Sequence, residues 1–146
     1  MQEFDRATTV LPSPFYRVTV KALVMNDKQQ LLVGVNKKGA YELPGGGWEH
    51  GETLEECLAR ELQEEFGVRV MRIGQPICFW AHPHRDWQYW LLRIGVPVRL
   101  KDDTFTPGDG LVKAQFVSQD EFIRLNLETY EGNVKDQIDK IWSMKE

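Results

Sequence analysis

The sequence is poor in features that would tie it to a membrane, to the secretory route or to a nucleic-acid backbone. No stretch approaches the roughly 18 consecutive apolar residues that a membrane-spanning helix needs. The first residues, Met1-Gln2-Glu3-Phe4-Asp5, are acidic and lack the basic-then-apolar profile of a secretory signal. Only two cysteines occur, Cys57 and Cys78, which give neither a metal-binding spacing nor a disulfide framework. Positive charge is also short, with 18 basic residues against 22 acidic ones and a formal net charge of -4. A protein that coats duplex nucleic acid or docks on anionic lipid shows the opposite excess, so neither partner is expected. The same total leaves room for a small anionic substrate, because a bound metal can supply the missing positive charge. Repeats and low-complexity tracts are absent. A cytoplasmic, reduced protein is the expectation.

What is there is an ordinary globular composition of 146 residues, 42% hydrophobic and 27% charged, enough for one domain with its own core. Residues 1–16 read as an arm, broken by Pro12 and Pro14, ahead of a single domain over 17–146. β-branched residues predict a strand over 18–25. The turn-like Asn26-Asp27-Lys28 and the apolar run 31–35 predict a second strand, closing a hairpin. Leu43-Pro44-Gly45-Gly46-Gly47 suits neither a helix nor a central strand. Thr53, with Glu56 three residues on, opens a helix that Gly67 closes. Strands are expected at about 68–80 and 88–100, separated by the polar loop His82-Pro83-His84-Arg85-Asp86. A short strand at 114–117 and helices from Asp120 and about Asn133 complete the chain. Val134, Ile138, Ile141 and Trp142 recur at helical spacing and are expected to pack on the core. The mixture predicts an α/β domain.

The helix over 54–66 carries the chemistry. At about 100° per residue, Leu54, Leu58 and Leu62 share one face, with Cys57 beside them. The same geometry puts Glu61 and Glu65 inside this sector and Glu64 at its edge, at spacings that bring the three carboxylates together. A solvated charge run belongs opposite the leucines, and this one interrupts their row. Crowded like charges on a partly buried face call for a cation. Mg²⁺ or Mn²⁺ suits carboxylate oxygens and keeps waters free for chemistry. Just before the helix, Gly45-Gly46-Gly47 would let backbone approach a ligand or ion closely.

Gly46, five residues, Glu52, seven residues, then Arg60-Glu61-Leu62-Gln63-Glu64-Glu65-Phe66-Gly67-Val68 resembles the Nudix box, G-x5-E-x7-R-E-U-x-E-E-x-G-U with U a bulky apolar residue. Every specified position matches, and chance agreement is on the order of 10⁻⁹ per starting position. The resemblance implies the Nudix α/β/α sandwich, a mixed sheet between helices, and hydrolysis of a nucleoside diphosphate linked to another moiety. It implies Glu61, Glu64 and Glu65 as metal-binding and catalytic carboxylates, joined by the Gly45 carbonyl. Arg60 would orient the glutamates and Glu52 would steady the loop against the helix. Many relatives use a further acid outside the box, for which Asp109 is the candidate, with turn chemistry as its competing reading. The phosphate-gripping Arg that many relatives carry falls here at Val35 or Asn36. Lys37 or Lys38 could substitute as a point charge without the bidentate fork. Trp48, in the glycine-rich loop, is the candidate base-stacking ring. His82, His84 and Arg85 could meet phosphate, with solvated loop residues as the competing reading.

A nucleoside triphosphate or related small nucleotide is the leading substrate, for a monomer or homodimer that engages neither duplex nucleic acid nor membrane. An ADP-ribose or nucleotide-sugar pyrophosphatase is the alternative. It draws on Pro83, 16 residues past Gly67, where some ADP-ribose-cleaving relatives carry a proline. A non-catalytic nucleotide-sensing module is a third reading; it usually has an eroded box or an attached DNA-binding domain. An RNA-processing role would want a basic groove or an added domain, of which the sequence gives no sign. Seven of the 22 acids but one of the 18 bases fall between Gly45 and Val68, so the negative charge is local.

Overall fold

Alternating side chains in β1 (Tyr16–Leu23) send Val20 and Ala22 to one face of a sheet and Arg17, Thr19 and Lys21 to the other. A computed structural model describes residues 8–84 and 89–144 of the chain. After β1 come β2 (Leu31–Asn36), β3 (Tyr41–Glu42), β4 (Gly45–Gly47), α1 (Leu54–Phe66), β5 (Val70–Ile73), β6 (Cys78–Pro83), β7 (Trp90–Leu100), β8 (Leu111–Val117), α2 (Gln119–Arg124) and α3 (Ile138–Trp142). The strands divide between two sheets. One is mixed, in the order β4-β1-β7-β5 with β6 also on β7; the other is antiparallel, in the order β3-β2-β8.

Helix α1 packs Cys57, Leu58, Leu62 and Phe66 against Val20, Ala22, Val96 and Val98. Each fully buried apolar side chain contributes about 1.5–3 kcal/mol, which fixes the helix on the sheet. The second cluster joins Leu23, Leu31, Val33, Leu43 and Trp80 to Phe122, Val134 and Ile141, with Ile138 and Trp142 beside them. The C-terminal apolar residues therefore pack as their spacing predicts. The fold is a mixed α/β domain with helices against its sheets. No helix among the described residues is long and apolar enough to cross a membrane.

Several local expectations are corrected. β1 and β2 do not form a hairpin. Both sides of β1 are taken, by β4 and by an eight-residue parallel pairing with β7, so β2 turns into the other sheet after a single bridge, Met25↔Leu31. The strand expected over 68–80 breaks at Gly74-Gln75-Pro76 into β5 and β6, which pair with different ends of β7. His82 and Pro83 belong to β6 rather than to a loop, opposite Leu91 and Trp90. Gly45–Gly47 forms a short strand after all. It sits at the edge of its sheet, where glycine is tolerated.

Candidate active site

Helix α1 starts where the Thr53 side chain accepts from the Glu56 N–H and ends where Gly67 adopts φ 64°, a left-handed cap open to glycine. Between these caps the leucine face turns acidic as its spacing predicts. Glu61 and Glu65 are 8% and 6% exposed, whereas the Glu64 side chain is 46% exposed at the rim. Glu65 Oε1 accepts the Gly45 N–H at 2.8 Å, tying the helix to β4. A methyl group at Gly46 would stand 2.7 Å from Glu61 Oε1, so the carboxylate lies directly against glycine backbone.

Arg60 organises the cluster. Its Nη2 reaches Glu52 Oε1 at 2.8 Å and the Gly47 carbonyl at 3.2 Å, while Nη1 reaches Glu61 Oε1 at 2.8 Å and Glu64 Oε2 at 3.5 Å. Glu52 in turn accepts the Glu49 N–H, closing the loop before the helix. Hydrogen bonding to Arg60 holds the Glu52 carboxyl down to about 2. Burial acts the other way on the inner acids. It raises Glu61, and it pushes Glu65 up to about 8 against the pull of Lys21. Burial likewise pushes the Cys57 thiol up to about 12, so it stays a packed, unreactive neighbour.

Among the described residues no group of three or more acidic, histidine or cysteine side chains is arranged so that it could hold a metal ion. The chemistry of the donors nonetheless fits a hard divalent cation: two buried carboxylates whose charge burial disfavours and a third at the rim, with glycine backbone beside them.

Other sequence candidates stand apart. Trp48 is not an exposed ring: it is half-buried against the α1 core, and its Nε1 donates to the Glu52 carbonyl at 2.9 Å. That bond steadies the loop before α1. Asp109 is exposed in a turn at φ 51°, which favours its turn reading. Lys37 is exposed in the β2–β3 turn, where the Asn36 side chain accepts from the Lys38 and Ala40 N–H groups. Arg85 lies outside the described residues.

A second polar group, which no sequence motif marks, lies on the sheet face away from α1. Lys21 is 3% exposed and pairs with the fully buried Glu131 at 2.9 Å, and its Nζ also donates to the Leu43 carbonyl. Arg93, also 3% exposed, donates to Thr19 Oγ1 at 3.0 Å and faces His82 Nε2 at 3.4 Å. The Arg17 guanidinium lies against Gly47, where an added methyl would overlap Nη2. The period of two in Arg17-Val18-Thr19-Val20-Lys21 was the available signal.

A NUDIX-domain family model matches residues 15–138. The chain belongs to the Nudix family. An ADP-ribose pyrophosphatase of Methanocaldococcus jannaschii is 28% identical over 122 residues, covering 82% of this chain and 71% of the relative. An NAD-capped RNA hydrolase, NudC of Vibrio atlanticus, is 44% identical over 89 residues, 57% of this chain but 31% of the relative. An RNA pyrophosphohydrolase of Ruthia magnifica is 40% identical over 66 residues, 44% of this chain and 37% of the relative. The chain thus matches about a third of those two longer proteins. Among solved structures, the MutT protein of Methanosarcina mazei Go1 superposes with a TM-score of 0.74 at 20% identity, covering 88% of this chain and 96% of that one. The fold of this Nudix chain is that of its structural neighbours.

Proposed function

We propose that this Nudix hydrolase cleaves a pyrophosphate bond in a small nucleotide, with Mg²⁺ (or Mn²⁺) held by Glu61, Glu64, Glu65 and the Gly45 carbonyl. The observation that carries this reading is the Glu52–Arg60–Glu61/Glu64 network built against glycine backbone beside the buried Glu65. A divalent cation there would neutralise phosphate oxygens and acidify a water. The chain's own groups do the rest. Glu61 or Glu64 accepts the proton of the attacking water, Arg60 fixes their carboxylates, and Glu52 anchors Arg60. Glu65 holds α1 against β4 through the Gly45 N–H. Two further parts of this reading are a cytoplasmic location, supported by free buried Cys57 and Cys78, and a small nucleotide as partner.

A nucleoside triphosphate is the first substrate to test. An ADP-ribose or nucleotide-sugar substrate is the second reading, favoured by the Methanocaldococcus relative that spans most of this chain. A panel of nucleoside triphosphates, dinucleoside polyphosphates, ADP-ribose and nucleotide sugars, assayed with Mg²⁺ and with EDTA, decides between them. Turnover is expected with Mg²⁺ only, and both Glu64→Gln and Glu65→Gln should lower kcat by about 100-fold or more. Near-wild-type rates in both folded variants would contradict the assignment.

A further inference from the structure

Strand β4 is the outer strand of its sheet and consists only of glycine. Consecutive residues of a strand point to opposite faces, and here each face meets a different partner. A methyl at Gly46 would crowd the Glu61 carboxylate, whereas one at Gly47 would overlap Arg17 Nη2. Acid and guanidinium therefore approach one side-chain-free edge from its two sides. Gly47 also receives Arg60 through its carbonyl, so Arg17 and the Arg60 network share Gly47 as a neighbour. Behind Arg17 on the same face, Thr19 accepts from the buried Arg93, which faces His82. One side of the edge thus suits a cation and the other suits an anion.

We propose that Arg17 is the anion-binding arm of this enzyme: its guanidinium takes a phosphate of the nucleotide as the polyphosphate crosses the glycine edge, with Arg93 reinforcing the positive field from below. A guanidinium fork matches two phosphate oxygens at once. The arm explains how the chain dispenses with a guanidinium at Val35 or Asn36. The inference rests on the nucleotide-hydrolysis reading.

The test compares wild type, Arg17→Ala and Arg17→Lys by equilibrium binding of ADP in EDTA and by Mg²⁺-dependent turnover of the best substrate in the panel. Arg17→Ala should weaken ADP binding about tenfold or more and raise KM by a similar factor, with kcat within about threefold. Arg17→Lys should recover only part of the loss. Arg69→Ala, which removes an exposed pair with Asp102, should change neither value. ADP affinity and KM both unchanged in folded Arg17→Ala would overturn the arm, as would a fall in kcat alone. The two readings fail separately. A wild type that hydrolyses nothing yet binds ADP through Arg17 supports the arm and removes the hydrolysis; an active wild type indifferent to Arg17→Ala does the reverse.

Discussion

Burial pushes the Glu65 carboxyl from its ordinary 4.5 up to about 8, against the Lys21 ammonium and the Gly45 N–H that would lower it. In metal-free protein such a raised acid binds its proton more tightly folded than unfolded. Its contribution to stability is therefore full below about 4.5 and is lost as pH rises through about 8. Thermal melts in EDTA should show Tm falling across that window, and Glu65→Gln should flatten the slope. An identical slope in the variant would remove Glu65 as its source. This residue was legible in the sequence because a carboxylate spaced into a leucine row has to be buried. Trp48 was not legible: its sequence neighbours suggest exposure, and only the fold brings the Glu52 carbonyl to its indole N–H.

At the scale of elements, β4 separates two kinds of glycine. Gly45 has φ 127°, and a methyl there would overlap the Val20 carbonyl, which is backbone and cannot move aside. Gly45→Ala should cost about 2 kcal/mol or more. At Gly46 the crowded group is the far end of the Glu61 side chain, which can swing away. Gly46→Ala should therefore keep Tm within a few degrees and lower turnover about tenfold or more by displacing that carboxylate. Equal loss of stability in both variants would contradict this division. The helix α1, with both caps, was legible from local spacing. The hairpin between β1 and β2 was misread because strand pairing is non-local: the partners of β1 lie in the glycine segment and in β7, far along the chain.

At the scale of the whole molecule, the buried Lys21–Glu131 pair ties β1 to the segment between α2 and α3, with Leu43 bonded to both partners. Removing one charge strands the other in a dry interior. Lys21→Met or Glu131→Gln alone should cost about 3 kcal/mol, read as a fall of roughly 6–12 °C in Tm. The double variant Lys21→Met/Glu131→Leu should recover much of that. Single variants that melt with the wild type would show the pair to be inert. The α/β class and the local origin of the negative charge were legible in the sequence. The pairing of Lys21 with a residue 110 positions away was not, because nothing local marks it.

The central claim is that the acidic face of α1 serves hydrolysis of a nucleotide pyrophosphate bond. Product release from the nucleotide panel, followed with Mg²⁺ for wild type and Glu65→Gln, tests it most directly. Mg²⁺-dependent turnover of at least one substrate by the wild type is expected, with a loss of about 100-fold or more in the variant. A folded wild type that releases nothing from any substrate, or a Glu65→Gln variant as active as the wild type, would show that the acidic face of α1 does not serve this hydrolysis.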